Sequence, residues 1–247
     1  MRRMAVAAAL GIGGALMAAV VALAQPASAQ TYELVGTVGT HPVGAAITVA
    51  GGRITEAHYF YDSHLQDIVL VGSVVGRTVT LMESEGGVFT LTLQGNGGVG
   101  GDGSSFATST SLTGTWTEGA QTLPVKLAMD WVLDGAPDGH RYADVTQASD
   151  AAFEAMARRF LTAALAGDKA KAALVVSYPL AVNGNPSLTV RTRAALIADW
   201  ARIFTPAMLA QLRTAVPHEM FVHEGQAMVA GGLVWFDAKG ASAINEP

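Results

Sequence analysis

The side chains that could do chemistry in this 247-residue chain are few, and most fail on spacing. His218-Glu219-Met220-Phe221-Val222-His223 comes nearest to a metal motif. The zinc pair in H-E-x-x-H works because positions i and i+4 put two imidazoles on one helical face. Here the step is five residues, which sets the rings about 140° apart on a helix and on opposite faces of a strand. The stretch reads as a strand, so both histidines are expected to be solvated or in turns, and no metal is assigned. Gly97-Gly98-Val99-Gly100-Gly101-Asp102-Gly103 matches the start of a calcium-binding nonapeptide. That motif completes each site by stacking on a neighbouring repeat, so a single copy reads as a glycine-rich hairpin loop. The chain has no cysteine, which removes disulfides, thiolate zinc and thiol nucleophiles. Nor does it contain G-x-S-x-G, S-x-x-K or G-x-x-x-x-G-K-[ST], the marks of common hydrolase elbows and phosphate loops. No cofactor is expected.

Two groups of residues remain. Tyr59, Phe60, Tyr61, Asp62 and His64 form an aromatic cluster in the first half. On a strand, Tyr59 and Tyr61 share one face while His58 and Phe60 share the other. One face would fill a core and the other cover its outside, with a contact patch as the functional alternative because tyrosine is enriched in interfaces. In the second half Tyr178, Trp200, His223 and Trp235 are the candidates to line a ligand cavity. Asp199 adjoins Trp200, and Asp237 lies two residues past Trp235 on the same strand face. Asp199, His223 and Asp237 are the first candidates for acid/base work, whereas Asp150 and Asp168 sit where helices begin and read as caps. No spacing makes any two of them converge, so the tryptophans read as core and the acids as surface.

Two compositions must position these groups. Residues 30–140 hold 19 of the 28 glycines, with 3 basic and 11 acidic residues; residues 141–247 hold 6 glycines, with 10 basic and 9 acidic. In the first part apolar residues alternate, as in Phe89, Leu91 and Leu93 or Val125, Leu127, Met129 and Trp131. This period predicts about eight strands, near 32–38, 43–50, 53–61, 66–72, 77–83, 88–93, 110–116 and 121–131. Short glycine turns and no intervening helix make an antiparallel meander, either an up-and-down barrel or a strongly curled sheet. In the second part the period becomes 3.6. Phe153, Met156, Ala157, Phe160 and Ala164 share a helical face, with Ser149 or Asp150 as cap and Gly167 as stop. A short helix from Asp168, a hairpin around 183–186, a helix from Thr192 through Phe204 and another from Pro206 to about Ala215 follow. Four strands, near 219–223, 226–230, 232–237 and 241–245, complete an α+β unit. The organisation expected is thus a β-rich domain at 30–134, a linker at 135–146 and an α+β domain at 147–247.

Residues 1–29 read as an export signal. Arg2 and Arg3 precede an uncharged run from Ala5 to Ala24, and Ala27 and Ala29 give the A-x-A pattern for cleavage after Ala29. Cleavage takes the charge from −5 to −7, because 13 basic residues then face 20 acidic ones. The expected location is the periplasm or the exterior, with contact to the membrane only through the signal. An acidic chain with no basic stripe disfavours nucleic acid.

Residues 149–245 resemble the NTF2-like (nuclear-transport-factor-2-like) superfamily in element order. The local signatures are Gly167-Asp168, Tyr178-Pro179-Leu180, Ile203-Phe204-Thr205-Pro206 and Gly232-Leu233-Val234-Trp235-Phe236. The resemblance implies a cone with a cavity between helices and a concave sheet, and members range from isomerases and dehydratases to binding subunits. The first half is similar to uncharacterised exported bacterial β-domains through Tyr59-Phe60-Tyr61, Gly114-x-Trp116 and Leu123-Pro124-Val125, which implies no chemistry.

The function expected is an exported, non-enzymatic binding or interaction protein. Its partner would be a small apolar ligand or a cationic protein drawn to the acidic β-domain. The sequence also allows a homodimer through the outer sheet face around Trp235. The alternative is a cofactor-independent lyase or isomerase using an acid/base in the cone.

Overall fold

The computed structural model describes residues 28–98, 101–135 and 140–246, so the expected export segment up to Ala27 lies outside the described residues. Alternation of apolar and polar residues does produce eight antiparallel strands. They are β1 (Gln30–Val38), β2 (His41–Ala50), β3 (Arg53–Tyr61), β4 (Ile68–Val75), β5 (Thr78–Glu83), β6 (Val88–Gln94), β7 (Ser111–Glu118) and β8 (Gln121–Asp134). Each pairs with the next, and β8 returns to β1, so the sheet is a closed barrel. Closure depends on the length of β8. Its Gln121–Ala128 part pairs with β7, and its Val125–Asp134 part pairs with β1.

The inward positions make one core, with Leu34, Ile47, Val79, Leu91, Leu93 and Leu112 almost wholly buried. Tyr59 faces inward, as its alternation predicts. Its hydroxyl donates to Glu83 Oε1 at 2.8 Å, and Trp116 Nε1 donates to the same oxygen at 2.7 Å. One inward carboxylate thereby satisfies two buried donors. The connection from β6 to β7, which holds the glycine-rich run, places Phe106 in the core beside Tyr32 at 5.2 Å. Asp102 of that run accepts from Ser104 N at 2.9 Å and Ser104 Oγ at 2.8 Å, an arrangement of a turn.

A second core lies under the helices of an α+β unit. Helix α1 (Asp150–Leu165) is capped by Ser149, which accepts from Ala152 N. Next come α2 (Lys169–Ala173), the hairpin β9 (Val176–Asn183) and β10 (Leu188–Val190), then α3 (Arg193–Ala198), α4 (Trp200–Ile203) and α5 (Pro206–Leu212). The single helix expected from Thr192 is two, with Asp199 between them in the bridge region of backbone space. Strands β11 (Phe221–His223), β12 (Gln226–Val229), β13 (Val234–Asp237) and β14 (Gly240–Asn245) form a meander. Parallel pairing of β14 with β9 joins meander and hairpin into one mixed sheet, ordered β10-β9-β14-β13-β12-β11. Phe160 of α1 meets Phe236 of β13 edge-on at 5.7 Å, and Trp200 stacks on Phe204 at 4.0 Å.

Gly114 of β7 lies close against the neighbouring strand β6. A Cβ there would collide with the Thr90 carbonyl of β6. Gly114→Val is therefore expected to destabilise the barrel by about 3 kcal/mol through overpacking against a backbone that cannot move aside. Urea unfolding followed by tryptophan fluorescence reads the change.

Candidate functional site

The site is built where the barrel meets the α+β unit. On the outer barrel wall, Glu33 of β1 and His58 of β3 both lie opposite Ala46 of β2. Small Ala46 leaves a recess between two ionisable side chains. One pair of positions along, Gly44 of β2 lies opposite Phe60 of β3, and any side chain on Gly44 would collide with the Phe60 ring. Phe60 thus lies flat over β2 and meets His218 edge-on at 4.4 Å. The outward face of the aromatic cluster is covered by the second unit.

Arg141 fills the recess. Its segment is pinned to the start of α1, where Asp150 accepts from Arg141 N at 2.8 Å and Tyr142 N at 3.3 Å and pairs with His140 Nδ1 at 2.7 Å. Asp150, expected as a helix cap, therefore holds the connecting segment, and Ser149 is the cap. Tyr142 is wholly buried against Phe153; its hydroxyl donates to Glu154 Oε1 at 2.8 Å and accepts from Met220 N at 3.0 Å. So anchored, the Arg141 guanidinium reaches the barrel. Its Nη2 donates to Glu219 Oε1 at 2.8 Å, and its Nη1 lies 2.8 Å from Glu33 Oε1. The second contact is off the hydrogen-bond axis, leaving Nη1 and Oε1 buried without an aligned partner. Attraction there is Coulombic only.

Two histidines complete the clasp. His58 Nε2 lies 2.5 Å from Glu219 Oε1. His218 bridges Glu154 Oε2 (2.6 Å from Nδ1) and Asp67 Oδ1 (2.9 Å from Nε2). Burial alone would depress the His218 pKa, but the hydrogen bonds to Asp67 and Glu154 outweigh it and push it up to about 9. His218 is thus an imidazolium donating from both nitrogens. His58 is likewise raised, burial being outweighed by the Glu219 hydrogen bond and charge. Burial lifts the Glu33 carboxyl to about 7, with repulsion from Glu219 adding and Arg141 opposing. Glu219 is lowered despite its burial, because His58 and Arg141 hold its charged form. Arg141–Glu33, His58–Glu219 and His218–Asp67 all cross between the barrel and the second unit.

Among the described residues, His58, Asp67 and Glu219 each offer a ligand atom within 4.8 Å of the others and are the group that could hold a cation. Arg141 already occupies the same Glu219 oxygen, and the imidazolium of His218 holds Asp67. The arrangement suits an ionic clasp better than a metal centre.

A cleft opens on each side of the clasp, and both are lined by His218 and Glu219. The first, about 570 Å³, runs between barrel and sheet and carries Glu33, Asp62, Asp130 and Glu219 with no lysine or arginine. Trp131 of β8 and Phe221 of β11, edge-on at 4.6 Å, line it. The Asp62 pKa is raised by burial. The second, about 610 Å³, is lined by Asp67, Arg141, Glu154 and Arg158.

The residues expected in a cone cavity are not brought together. Trp200 belongs to the core, whereas Trp235 lies on the sheet face opposite the buried Phe236. Tyr178 donates its hydroxyl to the Ala173 carbonyl at 3.2 Å, and His223 is exposed at the end of β11. Asp237 accepts from Ser177, Lys239 N and Gly240 N, so it shapes the β13–β14 turn. Asp199 stands between α3 and α4. Asp168 caps α2 by accepting from Lys171 N, as expected. His218 and Glu219 depart from expectation: β11 starts only at Phe221, and both side chains are drawn into the clasp. Glu33, His58, Asp67, Arg141 and Glu154 were not singled out by spacing. Their one signal is Arg141 itself, the sole lysine or arginine between Lys126 and Arg158.

No family model matches the chain, and comparison with curated proteins finds no match.

The clasp makes stability depend on pH. The raised His218 pKa contributes fully below the ordinary histidine value and is lost as pH climbs through about 9. Stability is expected to fall by about 2–3 kcal/mol across that alkaline window, with Glu33 acting in the same direction from lower pH. Urea midpoints measured from neutral to alkaline pH read the decline, and His218→Gln flattens it.

Proposed function

We propose that this chain is an exported, non-enzymatic binding protein whose acidic cleft takes a cationic group from a basic protein, peptide or small amine. The observation that carries the proposal is the lining of the cleft. Four acidic residues and two aromatic walls line about 570 Å³, with no lysine or arginine and with the His218 imidazolium, held by Asp67 and Glu154, as the one cation of the lining. Arg141 and His58 neutralise Glu219, and Arg141 also pairs with Glu33, but Asp62 and Asp130 make no ion pair among the described residues. An ammonium or guanidinium entering there gains two unneutralised carboxylates and the faces of Trp131 and Phe221. The net −8 of residues 30–140 would steer such a partner toward the cleft.

Export rests on the N-terminal charge, apolar run and small-residue site. No described helix is long and apolar enough to cross a membrane. For the α+β unit, the order of helices, hairpin and meander supports reading it as an NTF2-like cone, used here as a rigid wall. Phe221, on the same sheet face as Trp235, meets Trp131 of the barrel, so the β11 end of that face serves the cleft. A homodimer would have to use the remainder.

Calorimetric titration with Nα-acetyl-argininamide, and with the uncharged Nα-acetyl-citrullinamide as control, tests the proposal. The arginine derivative is expected to bind and the citrulline derivative not to. The Asp62→Asn, Asp130→Asn double variant should weaken binding about tenfold or more, as should high salt. Equal binding of the two amides would contradict it.

A further inference from the structure

The outer face of α1 carries a further recess, opposite in charge to the acidic cleft. It encloses about 750 Å³ between α1, α2 and the β13–β14 turn. Its floor is apolar, formed by Met156 and Ala163 of α1 with Leu174 and Val175. Leu174 is 58% exposed, which places an uncovered leucine inside a concave surface. Four cations stand around it: Arg158 and Arg159 on α1, Lys171 on α2 and Lys239 in the turn. Asp168 is the one acid of the lining, and it is committed to Lys171 at 2.8 Å while capping α2. Arg158, Arg159 and Lys239 make no ion pair among the described residues. Of the 13 basic residues outside the export segment, four thus surround one small apolar recess on an acidic protein.

Unpaired cations above an apolar floor fit a ligand with an anionic head and an apolar body. The arginine forks suit a carboxylate or sulfonate bidentately, and Lys239 adds a point charge from another element. A volume of this size holds one small ligand and not a two-chain lipid. We propose that this groove binds a soluble single-chain organic anion, its head held by Arg159 and Lys239 and its chain laid over Met156, Ala163 and Leu174. The site shares no residue with the acidic cleft, so the two stand or fall separately.

Titration of the full chain with decanoate below its micellar concentration, followed by calorimetry, is the test. Octyl glucoside serves as the uncharged control. Decanoate is expected to bind and octyl glucoside not to. Arg159→Glu with Lys239→Glu should weaken decanoate about tenfold or more, as should Leu174→Asn. These positions are exposed, and matching thermal melts establish that the variants are folded. The Asp62→Asn, Asp130→Asn variant should bind decanoate as the parent does, which separates this site from the cleft. Decanoate affinity unchanged by both groove variants, or equal affinity for octyl glucoside, would overturn the proposal. So would sedimentation with phosphatidylglycerol vesicles in the absence of binding to free decanoate.

Discussion

A guanidinium that cannot shed its proton, buried between two carboxylates from different parts of the chain, determines how the barrel and the α+β unit meet. Arg141 touches Glu33 on the barrel wall and Glu219 ahead of β11, while its own backbone is tied to Asp150 at the start of α1. Taking these charges out of water costs several kcal/mol per ion, so the cluster adds little net stability. Its effect is specificity. Any displacement of one unit would leave a buried charge without its partner, which makes a single relative placement strongly preferred. The clefts depend on that placement, because neither unit alone encloses them.

The histidines make the clasp conditional. His218 ties Glu154 of α1 to Asp67 of the barrel from both nitrogens only while it carries its second proton, whereas protonation of His58 adds charge to a single hydrogen bond with Glu219. Phe60, seated over Gly44, presses its ring edge-on against His218 and keeps that contact partly dry. The charge asymmetry visible in composition acquires a geometry as well. Acidic side chains of the barrel line the interlobe cleft, and basic side chains of the second half surround the groove on α1.

Much of the fold was legible in the sequence because each element depends on local pattern. Phe89, Leu91 and Leu93 alternate and lie inside the barrel; Phe153, Ala157, Phe160 and Ala164 recur at helical spacing and lie under α1. Barrel closure was legible only as one of two alternatives, the other being a curled sheet. The pairing of β8 with both β7 and β1 decides it, and no local pattern discloses a strand's second partner. The clasp was less legible still. Its members come from positions 33, 58, 67, 141, 154, 218 and 219, and no local period links them. Glu154 looks like an ordinary helix residue until Tyr142, His218 and Glu219 N all converge on its carboxylate. Residues weighed by chemical type alone kept their ordinary roles: Trp200 packs in the core and Asp237 shapes a turn.

A double-mutant cycle on Arg141 and Glu33 tests the clasp most directly, using Arg141→Met, Glu33→Leu and the pair, with unfolding free energies measured near neutral pH. Arg141→Met alone is expected to cost about 3–5 kcal/mol, since it leaves buried carboxylates unpaired. The pair should recover part of that loss, giving a coupling energy of about 2 kcal/mol. Additive losses, with coupling near zero, would mean that the ion pair does not hold the two units together.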